Sequence, residues 1–456
     1  MRSFAPLWAA LLVTSAILAG CAADPAPATD PVPEAAVPRV RLAAPTNVTF
    51  ALPVDLGTVQ GGAEPSVAIA PDGTIYVTTP LSLWRSDDGG STYTWIGTPT
   101  CPVGALPICP GLEENTPGMQ GGGDADLYVA PDGRVHWLGL FAPDAPIPYQ
   151  VSEDKGVTWS DVVDLSNINS TDREWITGRA DGTLFANWRN FPSEAEGGEA
   201  MIVMRASYDG GKTWTSQTDI AEDTRQGGIA VDPSSNALAL AYDLNGPIHV
   251  ARSFDDGLTW DETLVVDDPR LGHVFPVTAY DSNGTLYLAY SHDGSEDVVA
   301  DTAGRPLEHP AVFLAASHDK GATWSPSVQV SPPGATAWFP WIAAGSAGRV
   351  VVTWYQNDEG YPRQVGGNVY VMAAISLDAD FPEPRFTVVR AAPDPIHTGP
   401  ECRETPGVCT RSLLDFFEVA IHPDGYAVLA WAKDTYQVPR DTVVAGRMAT
   451  GPNLWG

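Results

Sequence analysis

One octapeptide pattern, S-x-D-x-G-x-T-(W/Y), recurs five times in register: Ser86–Tyr93 (SDDGGSTY), Ser152–Trp159 (SEDKGVTW), Ser207–Trp214 (SYDGGKTW), Ser253–Trp260 (SFDDGLTW) and Ser317–Trp324 (SHDKGATW). Each residue type in it has a local job. Ser and Asp two positions apart fold their side-chain oxygens back onto nearby backbone N–H groups, and the Gly two further on takes a positive φ without steric cost. The pattern therefore builds a tight turn. The Thr and the aromatic that follow are strand formers, and a large aromatic repeated at one offset packs between successive repeats.

A second pattern runs in phase with the first: an apolar run, a turn of the P-D-G type and another apolar run, which is a hairpin signal. Seven copies occur, beginning at Ser66, Asp126, Trp175, Gly228, Pro276, Trp341 and Phe417. From Thr46 onward no amphipathic helix interrupts them. Hairpin, further strand, turn motif and fourth strand make one four-stranded antiparallel unit, and units that cannot bury a face alone must stack around a ring. The expectation is an all-β, seven-bladed β-propeller of four-stranded antiparallel blades, with six blades as the alternative. The seventh unit supplies a hairpin over 417–431 and a strand near 442–448, and then the chain runs out. Its missing outer strand is assigned to the N-terminal segment 47–56, which would close the ring.

The octapeptide is the Asp box, and the chain resembles the bacterial neuraminidase repeat proteins, the sialidase-like β-propellers. The five boxes, with a broken sixth at Ser376–Phe381 that keeps Ser and Asp but lacks Gly, Thr and Trp, spread this resemblance over nearly all of residues 46–456. That group implies a propeller. Its activities range from sialidases and other glycosidases to receptors and assembly factors.

Residues 1–20 read as a lipoprotein signal peptide. Arg2 precedes an apolar run, Leu7 to Leu18, too short for an ordinary span, and Leu18-Ala19-Gly20-Cys21 resembles a lipobox in which Cys21 is lipidated; a plain cleavable signal is the other reading. The Ala- and Pro-rich stretch that follows, to residue 45, is a disordered tether. This arrangement implies an extracytoplasmic protein held to a membrane or cell surface only through its lipid. The formal net charge is −31, with Lys155, Lys212, Lys320 and Lys433 the only lysines among 25 basic residues. Such a surface argues against nucleic acid or anionic membrane as a partner, and suits high salt or a calcium-rich niche. The partner expected is an extracellular glycan or protein, and the protein a monomer. Cys101 with Cys109 and Cys402 with Cys409 are close pairs, expected as two disulfides in an exported chain, with three connectivities formally open. Neither has zinc-ligand spacing. No cofactor is expected: the acidic insertion 293–301 has alternating oxygens that could take a structural calcium, but it lacks the Gly and Glu of an EF-hand loop and reads first as a solvated acidic loop.

In such a blade the first strand lines the central channel, and the segments before it open on one face. Read together, they place Glu64, Asp124, Asp126, Arg173, Glu174, Arg225, His273, Trp338, Asp415 and Glu418 around one mouth. Carboxylates, arginines and aromatics suit a sugar or carboxylate ligand; the same residues also serve as strand caps and cross-channel ion pairs. The resemblance implies, for a sialidase, an Arg triad, a Tyr nucleophile partnered by Glu, an acid/base Asp and an F/Y-R-I/L-P segment. The candidates are Arg173, Arg225 and Arg363 as cations, Asp124 or Asp126 as acid, and Tyr355 with Glu174 or Glu418 as the nucleophile pair. The F/Y-R-I/L-P segment is missing, which puts exo-α-sialidase activity behind ligand binding as the reading; a glycosidase using two carboxylates across the mouth is a further alternative. The loop Ile396–Phe417 with its two cysteines, and the loop from Cys101 to Gly123, are expected to border the mouth, either as recognition elements or as cross-linked loops that serve only as anchors.

Overall fold

The computed structural model describes residues 41–58, 64–80, 82–97, 124–140, 147–166, 168, 170–192, 199–222, 225–243, 246–267, 275–292, 310–357, 367–399, 402–405, 408–411, 413, 415–433 and 442–456. Cys21, Cys101, Cys109, His273, Arg363 and the acidic insertion 293–301 lie outside them. In the described residues the P-D-G turns join antiparallel strands as their chemistry demands. In the first, Ile69 pairs with Ile75 across a turn in which Gly73 sits at φ +87°. The Gly73 N–H donates to Ala70 O at 2.9 Å and the Thr74 N–H to Asp72 Oδ1 at 3.0 Å.

Seven antiparallel sheets result, in a propeller ring. Their inner strands are Ser66–Ile69, Ala125–Val129, Thr171–Gly178, Ala230–Val231 with Arg225–Gln226, Val277–Tyr280, Thr336–Ala344 and Glu418–Ile421, for blades 1 to 7 in order. The second strands carry the core. Val350–Asn357 is buried at every position, because a neighbouring blade covers each face. Its Trp354 has equivalents in Trp188, Tyr242, Tyr290 and Trp431, each five residues into its own second strand and each buried.

The five Asp boxes occupy the same place in blades 1 to 5, the turn between third and fourth strands. In the second box the Thr158 N–H donates to Asp154 Oδ1 at 2.7 Å and the Thr158 hydroxyl to Oδ2 at 2.6 Å, while the Gly156 N–H donates to Ser152 Oγ at 2.8 Å. The box at Ser317 repeats these three bonds at 2.8, 2.6 and 2.7 Å. The turn residue also pins the preceding blade: Lys155 Nζ reaches Asp72 at 2.7 Å, and Lys320 reaches Asp232 in the same way. In the broken box Ser376 still meets Asp378, at 3.1 Å, but arginines replace the absent Thr. Arg385 Nε at 2.9 Å and Arg41 Nε at 2.8 Å share Asp378 Oδ2.

The ring closes as expected. Strand Thr442–Thr450 pairs on one side with Ala427–Lys433 and on the other with Val54–Thr58 and Thr49–Phe50, so blade 7 is built from both ends of the domain. The last residues tie the same region from another direction. Leu454, fully buried, donates from N to Gly425 O at 2.8 Å and accepts the Ser346 N–H at 2.9 Å, bridging the turns of blades 7 and 6.

Candidate functional site

The inner-strand ends divide the channel in two. From blades 7, 1, 2 and 3 come Asp415, Glu418, Glu64, Ser66, Asp124, Asp126, Arg173 and Glu174. From blades 3, 5, 6 and 7 come Trp175, Phe275, Trp341 and Phe416, whose rings touch across the axis: Trp175 lies 5.6 Å from Phe275, 6.3 Å from Trp341 and 5.8 Å from Phe416. These aromatics fill the channel, which leaves the polar chemistry at the mouth and on one side. The backbone is bent to allow it. Arg173, Phe275 and Phe339, each two residues before Trp175, Val277 or Trp341, hold φ between +54° and +59°, a conformation costly for non-glycine residues and met where surroundings over-determine it. The pairing register slips at the same point, between Asp172 and Trp175 and between Trp338 and Trp341.

The acidic side is a chain of shared hydrogen bonds between blades. Ser66 Oγ lies 2.6 Å from Asp126 Oδ1 and 2.8 Å from Glu418 Oε2. A hydroxyl has one hydrogen, so it donates to one of these carboxyls and accepts a hydrogen bond from the other, which then carries the proton. Asp126 also accepts the Leu127 N–H at 2.7 Å and the Ile176 N–H at 2.8 Å, whereas Glu418 accepts the longer Val67 N–H bond, at 3.1 Å. Asp126 is thus the better-stabilised anion and Glu418 the proton carrier. Burial pushes Asp126 up to about 6 despite its donors. Burial, and then the negative charge of Asp126, hold Glu418 well above the usual carboxyl range. Glu64 Oε1 accepts the Asp415 N–H at 2.7 Å, tying blade 1 to blade 7.

Blade 3 is different. Glu174 is 1 % exposed, and neither carboxyl oxygen has a hydrogen-bond partner. Desolvation first, and then Asp124, Asp172 and Asp126, raise it well above the usual range, which favours its protonated form. Beside it the Arg173 guanidinium is 3.7 Å from Asp415 and 3.5 Å from Asp172 and stands over the Phe275 ring at 5.0 Å. Gln226 Nε2 donates to Arg173 O at 3.1 Å. Arg225 Nε is 3.9 Å from Asp243 Oδ1, whose carboxyl burial raises against the pull of Arg225 and Arg173.

Of the residues expected at the mouth, the structure brings together Glu64, Asp124, Asp126, Arg173, Glu174, Asp415 and Glu418, with Arg225 one blade along. It does not bring Trp338 or Tyr355 there. Tyr355 is fully buried, its ring stacked on Phe417 at 4.3 Å and its hydroxyl accepting the Ala432 N–H at 3.3 Å. Trp338 packs edge-on against it at 6.4 Å. Tyr355 thus holds blade 6 to blade 7, with Trp338 packed behind it in blade 6. Among the described residues no group of His, Cys, Asp and Glu is arranged to hold a metal ion. Cys402 and Cys409 fall in one hairpin, Cys402–Thr405 with Val408–Arg411, where Cys409 faces Glu404 rather than Cys402. Ser66, Gln226 and Asp243 also belong to this region and carry no signal of their own in the sequence, where each looks like an ordinary strand residue.

No protein-family profile and no curated protein matches the sequence. Solved structures do match in fold. A polysaccharide lyase, an ulvan lyase solved with a bound GlcA-Rha3S chain, aligns with TM-score 0.52 at 11% identity over 86% of this chain and 95% of its own. A Dyadobacter fermentans protein of unknown function aligns at 0.48 and 14% identity, over 88% and 99% of the two chains. An α-L-arabinofuranosidase from Fusarium graminearum aligns at 0.44 and 17% identity, over 71% and 91%. These likenesses speak to the propeller, not to its chemistry.

Proposed function

We propose that the protein is a surface-tethered, sialidase-like Asp-box propeller that binds a glycan at the mouth formed by the inner-strand ends of blades 7, 1, 2 and 3. The observation that carries this reading is Glu174, a buried carboxyl with both oxygens unpartnered, flanked by Arg173 in a left-handed conformation. Leaving such a group unsatisfied costs roughly 1–3 kcal/mol, and sites that tolerate such costs are commonly those that meet a ligand. The ulvan lyase of similar fold acts on carbohydrate by its name, which agrees with this reading. Lipidation at Cys21, the tether and the two disulfides belong to the same proposal. Hydrolysis is the second reading, favoured by the placing of two buried carboxyls, Glu174 and Asp124, close enough for Asp124 to raise Glu174, since a two-carboxylate glycosidase uses such a pair.

The test is a glycan array probed with the soluble chain beginning at Pro38, followed by product analysis of every glycan bound. Binding that Arg173→Ala and Asp415→Asn each weaken at least about tenfold is expected. An array with no bound glycan, or binding indifferent to both changes, overturns the reading.

A further inference from the structure

The orphaned polar atoms of the mouth cluster, and their kinds are mixed. Arg173 Nε and Trp175 Nε1 are buried donors without acceptors; Gln226 Oε1 and Asp243 Oδ2 are buried acceptors without donors; and Glu174, in its protonated form, is one of each. All five residues belong to the entries of blades 3 and 4. They are joined through the Gln226–Arg173 bond and the proximity of Arg173 to the Asp243 carboxyl. Buried polar atoms are almost always paired, so atoms of this sort mark where water or ligand completes the bonding. What completes them must both donate and accept at neighbouring positions. A sugar hydroxyl does both. A carboxylate, sulfate or phosphate only accepts, and it would leave the Gln226 and Asp243 oxygens facing its own negative charge.

The surrounding charge points the same way. Asp124, Asp126, Asp172 and Asp415 stand around the cluster, and the cations beside it, Arg173 and Arg225, are already engaged by Asp172, Asp415 and Asp243. An anion arriving here gains no uncommitted cation among the described residues and meets several carboxyls.

We infer that the ligand of this mouth is an uncharged polyhydroxyl, a neutral sugar residue presenting neighbouring hydroxyls to Arg173, Glu174, Trp175, Gln226 and Asp243, and not an anionic sugar. The inference rests on the glycan-binding reading and narrows it. Glu174 then grips two adjacent hydroxyl groups, donating its proton to one oxygen and accepting the hydrogen of the next, a bonding pattern that a Gln side chain can also make.

Isothermal titration of the soluble chain against neutral oligosaccharides, and against sialylated, uronate-containing and sulfated ones of equal length, tests this directly. Neutral glycans are expected to bind, with affinity unchanged from low to high salt. Glu174→Gln is expected to keep binding within a few-fold, and Glu174→Leu to lose roughly 10- to 100-fold, with thermal melts showing both variants folded. Binding of anionic glycans while neutral ones are ignored overturns the inference and leaves the glycan-binding reading standing. An equal loss in Glu174→Gln and Glu174→Leu means that a carboxylate charge is needed and also overturns it. No binding of any glycan removes the glycan-binding reading, and this inference with it.

Discussion

Aspartate does opposite work at the rim and at the hub of this ring. At the rim, the Asp of each box is saturated with donors from its own turn and held low: Asp88 and Asp209 are drawn down to about 2, chiefly by the Thr hydroxyl and then the Thr N–H four residues on. At the hub, Asp126 has donors of comparable quality yet is raised to about 6. The difference is water. A rim carboxylate keeps most of its hydration and gains hydrogen bonds; a hub carboxyl has lost its hydration and faces others of its kind. Local bonding decides the first case and desolvation the second.

The largest effect that tests this contrast is the dependence of stability on pH. Asp126 is raised on folding, so its stabilisation is complete below about pH 4, the range of an unfolded carboxyl, and is lost as pH rises through about 6. That loss is on the order of 3 kcal/mol from Asp126 alone. Urea midpoints should fall between pH 4 and pH 8, and Glu418→Gln, which needs no proton to meet Ser66, should flatten the curve. Midpoints that rise across that range would break the contrast at the hub. Rim carboxylates act with the reverse sign, since a lowered group stabilises above its unfolded range and ceases to do so as pH falls toward 2.

Next in size is Glu174→Leu. Removing an unpartnered buried acid should raise stability by roughly 1–3 kcal/mol, read as a higher Tm; a lower Tm would mean that the carboxyl is bonded in solution. Asp319→Ala should cost about 1–2 kcal/mol by releasing the Thr323 N–H, the Thr323 hydroxyl and Ser317. This cost should be constant from pH 5 to pH 8. Smallest is Arg385→Ala in the broken box, at under about 1 kcal/mol, because Arg41 still covers Asp378 Oδ2 and both arginines are partly exposed.

The contrast also explains what could be read from residues alone. Rim bonds join positions four apart, as in Asp154 with Thr158, so a short pattern reveals them, and the blade count and the closing strand follow from counting patterns. Hub bonds join positions 60 and 352 apart, as Ser66 does with Asp126 and Glu418. No local pattern distinguishes that Ser from any other strand Ser. The mouth segments were legible because they precede the hairpins; which of their side chains meet was not. Tyr355 shows the limit most clearly. As a Tyr it matches the nucleophile that the resemblance implies, but an aromatic near the end of a second strand is covered by the next blade and becomes core.

The seam in blade 7 has a kinetic side. Thr49 and Thr450 meet at 2.7 Å although 401 positions separate them, which makes their contact among the most entropically demanding in the molecule. Until it forms, every stage of assembly is an open arc with two raw strand edges, each able to recruit a wrong partner. A refolding experiment should therefore show early blade formation followed by one slow, concentration-sensitive step, the zipping of the first strand onto the last.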